Sequence, residues 1–380
     1  MPARIVGQWD AFLLQEIERA RVERGKYWRH DHTSPENYAR SLAENREHLR
    51  RAIGAIDARV PFRDLEVVVP LQETSLRGET ATYSIHAVRW PVFLDVYGEG
   101  LLLRPKREPL GCVVAIPDAD QTPEMLAGIS PGVPRVSQFA RQLAENGLLV
   151  LVPTLLDRRT RWAGDERHEI YTDQTHREWI YRQAGEVGRH PIGYEVQKVQ
   201  AAIDWFWSPG GPAAGGRKKV GVAGYGEGGL LALYTAALDE RIDATWVSGY
   251  FQPREQLWRE PLYRNVWNLL TEFGDAELAA MIAPRGLVVE HSAFPEVTHP
   301  SPPDPSHRQV RRVAGTGSIR TPAFGPVAAE WERAKKLAGP FAGQLELVAG
   351  DGGESRGDGF GRGRALLLPI PWGARIAGAN

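Results

Sequence analysis

The stretch that decides the fold is KVGVAGYGEGGLLAL, at residues 219–233. Its first residues are apolar or small and predict a buried strand. A glycine-rich turn follows at 224–229, and the leucines after it predict an apolar helix. A buried strand that turns sharply into a buried helix is typical of an α/β fold with a mainly parallel sheet covered by helices on both faces.

The remainder of the chain fits the same fold class. Helices are predicted at Val136–Glu145, Tyr194–Phe206 and Gly229–Leu238. Between and around them lie apolar strands, predicted at Cys112–Ile116, Leu148–Val152, Val220–Ala223, Thr245–Ser248, Leu287–Glu290 and Leu345–Val348. Three earlier strands, joined by short links and therefore expected to be antiparallel, are predicted at Leu65–Val69, Thr82–Val88 and Val92–Tyr97.

The domain organisation follows from these patterns. Residues 1–60 predict a helical N-terminal extension, whose apolar face (Trp9, Phe12, Leu13, Ile17) we expect to pack on the main domain. Within it, Ser34 and Pro35 resemble a helix start. Residues 61–350 form the α/β domain, with a lid-like insertion near 155–195. Residues 351–380 are a tail rich in glycine and arginine.

Composition excludes several classes of function. The chain has 380 residues, a formal net charge of −1 and one cysteine, Cys112. The balanced charge gives no reason to expect a nucleic-acid partner, and a single cysteine excludes an internal disulfide. We see neither a signal peptide nor a membrane anchor, so we expect a soluble protein that is cytoplasmic as given, or exported if a leader has been trimmed. The sequence leaves the oligomeric state open.

The turn in the decisive stretch has the context of a nucleophile elbow, the G-x-S-x-G motif between a strand and a helix. Small residues flank the apex because the turn is sharp. Aligning the flanks on Gly224 and Gly228 places Gly226 at the apex. Glycine tolerates the strained conformation but supplies no attacking atom, so the sequence predicts an elbow without its nucleophile.

Two alternatives compete for the same turn. Residues 224–229 also contain G-x-G-x-x-G, the dinucleotide fingerprint, although the matching strand of a Rossmann unit usually comes early in the chain. Glu227 could instead be an acidic nucleophile in a shifted register. That register would place the bulky Tyr225 where a small residue is needed.

The sequence resembles the α/β-hydrolase superfamily, in its acetyl xylan esterase and dienelactone hydrolase-like branch. Besides the elbow, the resemblance depends on four segments and covers roughly residues 60–350. These segments are Ile116–Glu124, Arg177–Arg182, Gly188–Glu195 and Ala283–Glu290.

The resemblance also implies where a catalytic triad should lie. The nucleophile position falls on Gly226, and the acid position on Glu290 or the nearby Glu296. The base should follow the last strand, but no histidine occurs after His307. Backbone N–H groups near Ala119 and at Glu227 would form the oxyanion hole, with Asp120 beside them.

Several residues could replace the missing nucleophile and base. His299 and His307 could reach the site from a long loop, or be exposed loop histidines. Trp162, after a basic run that begins at Arg158, could line a carbohydrate cleft or pack as an ordinary aromatic side chain. The patterns His30/His32 and His190/Glu195 lack the further ligands that a metal site needs. We therefore expect no metal and no cofactor.

Three functional hypotheses remain. The favoured one is a pseudo-hydrolase, esterase-like in fold, that binds a carbohydrate ester, another small molecule or a partner without efficient turnover. The second is an active ester hydrolase in which Glu227, Glu290 or His299 activates water. The third is a non-catalytic assembly module, which predicts a filled elbow and an exposed apolar surface elsewhere.

Overall fold

The computed structural model describes residues 1–68, 75–168, 170–216, 218–302, 305 and 310–350. The predicted tail at 351–380, the end of the predicted strand at Val69 and the candidate base His307 lie outside these residues. The predictions made for them therefore stay predictions.

The helices and strands of the described residues alternate in the second half of the chain. The α-helices are α1 Pro2–Glu23, α2 Pro35–Ser41, α3 Ala43–Ala52, α4 Pro123–Ala127, α5 Phe139–Glu145, α6 His176–Gly185, α7 Pro191–Trp207, α8 Glu227–Leu238, α9 Leu269–Glu272, α10 Asp275–Ile282 and α11 Phe324–Ala338. The strands are β1 Glu66–Val67, β2 Leu76–Glu79, β3 Tyr83–Phe93, β4 Val96–Pro105, β5 Cys112–Ile116, β6 Leu149–Pro153, β7 Gly164–Asp165, β8 Ile170–Tyr171, β9 Val220–Tyr225, β10 Ala244–Ser248, β11 Gly286–Glu290, β12 Val297–His299, β13 Gly317–Ile319 and β14 Leu345–Val348. Within the described residues, no helix has both the length and the apolar character needed to cross a bilayer.

One large sheet organises the protein. Its strand order is β1-β3-β4-β6-β5-β9-β10-β11-β14, with β2 paired to β3. The strands from β6 to β14 pair in parallel, whereas β1 to β4 pair antiparallel and β4 joins the parallel part through β6. The predicted fold class is confirmed, since buried parallel strands require cover on both faces and helices supply it.

The antiparallel part differs from the prediction in one respect. Thr82–Val88 and Val92–Tyr97 are not two separate strands: β3 runs without interruption through Pro91, and the turn lies at Leu94 and Asp95. The predicted boundaries were wrong, because Arg89, Trp90 and Pro91 continue β3 and do not form a link between two strands. Its ring is compatible with the strand here because a register irregularity follows between Pro91 and Phe93.

The N-terminal extension divides into two parts. Tyr38, Leu42 and Leu49 of the α2–α3 region are fully buried in the main core, and the Tyr38 hydroxyl donates to the Ala280 carbonyl at 2.9 Å. Ser34 caps α2 by accepting from the Asn37 N–H, as its pattern predicted.

The first helix behaves differently. The face of Trp9, Phe12 and Leu13 does not pack on the domain: residues 1–15 are all exposed, and only Glu16, Ile17 and Ala20 of α1 are half-buried. The expected packing of this face is therefore wrong. Its apolar spacing was read correctly, but spacing alone cannot say which surface an amphipathic helix covers.

The stretch between β6 and α7 holds the predicted insertion. It contains the β7–β8 hairpin and α6. The Arg177 guanidinium, fully buried near the start of α6, donates to the Leu156 carbonyl at 2.8 Å. The insertion is thereby fixed to the segment that leaves the sheet, and its role as a lid stays a prediction.

Replacing Leu49 with alanine tests whether α3 belongs to the main core. Because Leu49 is fully buried, we expect Leu49→Ala to destabilise the whole domain by about 2–5 kcal/mol. Urea unfolding followed by far- and near-ultraviolet circular dichroism measures this. The matched control, Leu94→Ala, removes a side chain that is 86% exposed and should leave the midpoint unchanged. Equal midpoints for the two variants would contradict the shared core.

Candidate active site

The elbow forms where the sequence placed it, between β9 and α8. Gly226 adopts φ 60° and ψ −117° and its N–H donates to the Ser248 carbonyl at 2.9 Å. A Cβ on Gly224 would lie 2.0 Å from the Gly228 carbonyl oxygen, and one on Gly228 would lie 2.1 Å from that of Ile116. The flanking glycines are thus required by close backbone approach, as the motif predicts.

The space above the apex is filled by other side chains. A Cβ built on Gly226 would lie 2.4 Å from Asp118 Oδ1 and 2.6 Å from Pro295 Cγ. Asp118 follows β5 and is only 3% exposed. The place from which a serine oxygen would attack is therefore occupied by a carboxylate that belongs to the fold.

Asp118 is held there by several donors. The Glu227 N–H donates to Asp118 Oδ1 at 2.9 Å, and the Asp120 N–H donates to Oδ2 at 3.1 Å. The Arg158 guanidinium binds both carboxylate oxygens, at 2.6 and 3.1 Å. The Glu227 N–H is the donor that the family resemblance assigns to the oxyanion hole, so an internal carboxylate takes the place of the reaction's oxyanion.

The side chain of Glu227 points away from this space, into a set of arginines. It is fully buried and accepts from Arg177 at 3.0 Å, from Arg264 at 2.9 and 3.0 Å, and from Arg158 at 3.2 Å. Arg264 also donates to Glu260 at 2.9 Å. We call Asp118, Glu227, Glu260, Arg158, Arg177 and Arg264 the elbow ion-pair cluster.

The cluster has strong electrostatic consequences for its carboxyl groups. Burial by itself raises the pKa of Glu227, but the guanidinium groups of Arg177, Arg264 and Arg158 outweigh it and hold that pKa well below its ordinary value. Burial likewise raises the pKa of Asp118, but the Arg158 guanidinium outweighs burial, so that this pKa is also lowered. Both groups stay ionised at neutral pH and are saturated by donors.

These contacts remove both alternative interpretations of the turn. Glu227 cannot act as a nucleophile, because its carboxylate is buried against the arginines and Gly226 occupies the apex. A phosphate at the start of α8 would have to replace Asp118 on the Glu227 N–H and lie beside two carboxylates. The turn is therefore not a dinucleotide site.

Glu290, at the predicted acid position, is hydrogen-bonded within the sheet. The Ser248 hydroxyl donates to Glu290 Oε2 at 2.9 Å and lies 2.6 Å from the Ser292 hydroxyl. His291, the residue after Glu290, packs its ring against Phe324, with the ring centroids 5.4 Å apart. Glu296, the second candidate, is exposed.

His299 is not the exposed loop residue that one interpretation expected. It ends the short strand β12 and is 5% exposed, with its ring edge-on to Tyr263 at 5.7 Å. Among the described residues neither ring nitrogen has a hydrogen-bond partner. Burial lowers its pKa, so the imidazole is neutral at pH 7.

The remaining predicted residues do not converge on one cleft. Ala119 is buried, and the Asp120 carboxylate binds Arg158 at 2.9 Å. Trp162 is 58% exposed, with the Arg161 guanidinium over its ring. His190 caps α7 by accepting from the Ile192 N–H. The described residues contain no group of three or more potential metal ligands.

The arginines are what sequence reasoning missed. Basic runs such as the one that begins at Arg158 usually form a solvated face, yet Arg158 is 5% exposed and Arg177 is fully buried. The glycine at the apex was a signal for such partners, because it leaves room for a neighbouring side chain. A buried carboxylate in that place needs a counter-charge. Nothing in the spacing showed which arginines would supply it.

The sheet order, the elbow between β9 and α8 and the flanking glycines define an α/β-hydrolase. Residues 99–258 match the model of the Dienelactone hydrolase family, which confirms the predicted resemblance over that part of the chain. No curated protein matches the chain in sequence.

Solved structures give the same fold at low sequence identity. A proposed acetyl xylan esterase from Bacteroides fragilis aligns at 14% identity and a TM-score of 0.56, over 85% of this chain and 77% of that one. A glucuronoyl esterase from Solibacter usitatus aligns at 13% identity and a TM-score of 0.55, over 88% and 94%. At these identities the two structures show that the chain shares the α/β-hydrolase fold.

Removing the charge of Glu227 should strongly destabilise the protein. Glu227→Gln removes the carboxylate that Arg158, Arg177 and Arg264 share, while Arg158 keeps Asp118 and Arg264 keeps Glu260. We expect a loss of about 3–5 kcal/mol at pH 7. Because the folded-state pKa lies below the ordinary 4.5, this stabilisation is complete above that pH and lost as the pH falls below it. The wild type should therefore lose stability more steeply below that pH than the variant does.

Urea unfolding over a pH series measures both effects. Glu66→Gln, which breaks the exposed pair with Arg89, is the matched control and should leave stability nearly unchanged. A Glu227→Gln variant as stable as this control would show that the cluster does not hold the elbow.

Proposed function

We propose that this protein is a catalytically silent member of its class, an esterase-like fold that does not turn esters over. The observation that carries the proposal is the carboxylate of Asp118 above Gly226, hydrogen-bonded to the Glu227 N–H. An ester carbonyl cannot enter that position unless the carboxylate leaves both this N–H and Arg158.

The other requirements of acyl transfer support the same proposal. The elbow apex is a glycine, and the sequence has no histidine after the last strand of the sheet. Nucleophile and base act as a unit, so losing either removes most of the rate and losing both costs little more. The residual catalysis that an oxyanion hole can provide is also blocked, because its Glu227 N–H is already bonded.

Ester hydrolysis by the wild type and by Gly226→Ser tests the proposal. We expect neither protein to exceed the uncatalysed rate with aryl acetates, acetylated xylan or methyl glucuronate esters. The new serine would collide with Asp118 and Pro295 at a positive φ. We therefore expect Gly226→Ser to lower stability by at least about 1 kcal/mol.

Circular dichroism and urea unfolding establish that both samples are folded. The double variant Asp118→Ala/Gly226→Ser serves as a further control, because it opens the space above the elbow but still lacks a base. Turnover by the wild type that is abolished in Glu290→Gln would refute the proposal.

His299 favours a second candidate, an active hydrolase with displaced machinery. A buried neutral imidazole with unpartnered nitrogens is chemically able to accept a proton from water. It contacts Tyr263, whose hydroxyl accepts from Arg158 at 2.9 Å, so it lies next to the elbow ion-pair cluster.

This candidate predicts a distinct kinetic result. Any enzymatic hydrolysis should fall to background in His299→Gln, and in the wild type it should decline below the lowered pKa of that histidine. If the protein is catalytically silent, His299→Gln should give the same uncatalysed rate as the wild type. A pH–rate profile of both proteins separates the two functions, because a wild-type profile that coincides with that of the protein-free buffer at every pH removes the second.

A further inference from the structure

A cavity of about 580 Å³ lies between the N-terminal extension, α6 and the segment that leads into α9. Its lining includes Tyr27, His48 and Arg51 of the extension, Tyr181 of α6, and several residues between 265 and 273. The described lining shares no residue with the elbow ion-pair cluster, so the cavity is separate from the elbow. Its volume is that of an ordinary small-molecule site.

Buried hydrogen bonds hold the walls of this cavity together. His190 Nδ1 accepts from the backbone of α7, so Nε2 of the same ring donates to the Asn265 carbonyl at 3.3 Å. Asn45, which is 3% exposed, donates to the Tyr27 carbonyl at 3.0 Å and to Glu272 Oε1 at 2.7 Å. These bonds connect α3, α7 and α9 with the segment before α9, so the cavity is formed by the fold itself.

Aromatic side chains form one wall of the cavity. The four that contribute to the lining are Tyr27, Tyr181, Trp267 and Phe273. The Trp267 side chain is 86% exposed, and in the described part of the chain no other ring or guanidinium group stacks on it. The face of an aromatic ring is the negative part of its quadrupole, and tryptophan attracts cations most strongly. Tyr27 already makes such a contact, because the Lys26 ammonium lies 5.3 Å from its ring centroid.

Two carboxylates on the side of α3 and α9 share a single basic side chain. Glu272 Oε2 lies 3.0 Å from His48 Nδ1, and Glu44 Oε1 lies 3.9 Å from His48 Nε2. The Glu272 side chain lines the cavity and is only 13% exposed. An imidazole is charged only when it is protonated, and even then it balances one carboxylate and not two. This side of the cavity therefore keeps a negative charge.

The two arginines of the lining do not cancel this charge. Arg189 binds Asp57 at 2.7 Å. Arg51 shares Glu47 with its chain neighbour, but the Arg51 side chain is 70% exposed, so water and salt screen its charge. The charge of Glu272 is mostly buried and is screened less. A cation near Glu272 is therefore attracted more than the arginines repel it.

We propose that the cavity binds an organic cation with a quaternary ammonium group, held against the Trp267 ring and the Glu272 carboxylate. Such a group has a surface of methyl groups and no N–H to donate, so an aromatic wall with one carboxylate suits it. A metal ion fits less well, because the described residues contain no group of three or more potential ligands. The inference concerns a site apart from the elbow and does not depend on whether the elbow turns esters over.

Isothermal titration calorimetry of the full chain with two matched ligands tests the proposal. The ligands are choline and its uncharged isostere, in which a tert-butyl group replaces the trimethylammonium group. We expect choline to bind about tenfold more tightly than the isostere, because only choline offers a cation to the ring and the carboxylate. Equal affinities, or no binding of choline at millimolar concentrations, would overturn the proposal. Tighter binding of acetate than of choline would assign the cavity to an anion at the arginines and would also overturn it.

Two substitutions test where the cation lies. Glu272→Gln and Trp267→Leu should each weaken choline binding about tenfold, and Glu272→Gln should leave the affinity for the isostere unchanged because the amide keeps the shape of the side chain. Because Trp267 is exposed, urea unfolding should show no loss of stability in Trp267→Leu. The control Trp258→Leu removes another exposed tryptophan, outside the lining, and should bind choline like the wild type. Unchanged choline affinity in either test variant would overturn the assignment.

Discussion

The structure of the elbow depends on one contact, the hydrogen bond that the Glu227 N–H donates to the carboxylate of Asp118. In a fold built to stabilise a transient oxyanion at this N–H, a permanent anion satisfies the donor instead. That anion needs a counter-charge in a buried place, and Arg158 provides it. Arg158 in turn reaches Glu227, which recruits Arg177 and Arg264. The elbow ion-pair cluster is thus one connected set of charges.

This arrangement explains why the glycine apex is required and not merely tolerated. Gly226 combines a positive φ with the absence of a Cβ, and both are needed once Asp118 and Pro295 lie above it. A buried ion-pair network is not by itself a source of great stability, because the desolvation of its charges offsets much of their attraction. Its effect here is to connect distant segments, because Glu227 binds all three arginines of the cluster at once.

The sequence predicted more of the fold than of the site. The strands of the parallel sheet, the elbow and its two close-packed glycines could be predicted because they follow from local patterns of apolar and small residues. The continuous β3 through Pro91 and the exposed α1 could not, since each depends on what lies beside the segment in space. The missing nucleophile was visible in one residue, whereas the replacement by Asp118 depended on Arg158 and Glu227, which are far from it in the chain. The interpretation of His299 as an exposed loop residue was wrong for the same reason, because its ring contacts Tyr263, which is distant in the chain.

An experimental structure at high resolution tests the central claim most directly, by showing which atom accepts the Glu227 N–H. The account predicts Asp118 Oδ1 at close to 2.9 Å, with Arg158 on both oxygens of that carboxylate and no open space above Gly226. A water or bound ester oxygen on that N–H, with Asp118 turned away and an imidazole beside the apex, would contradict it.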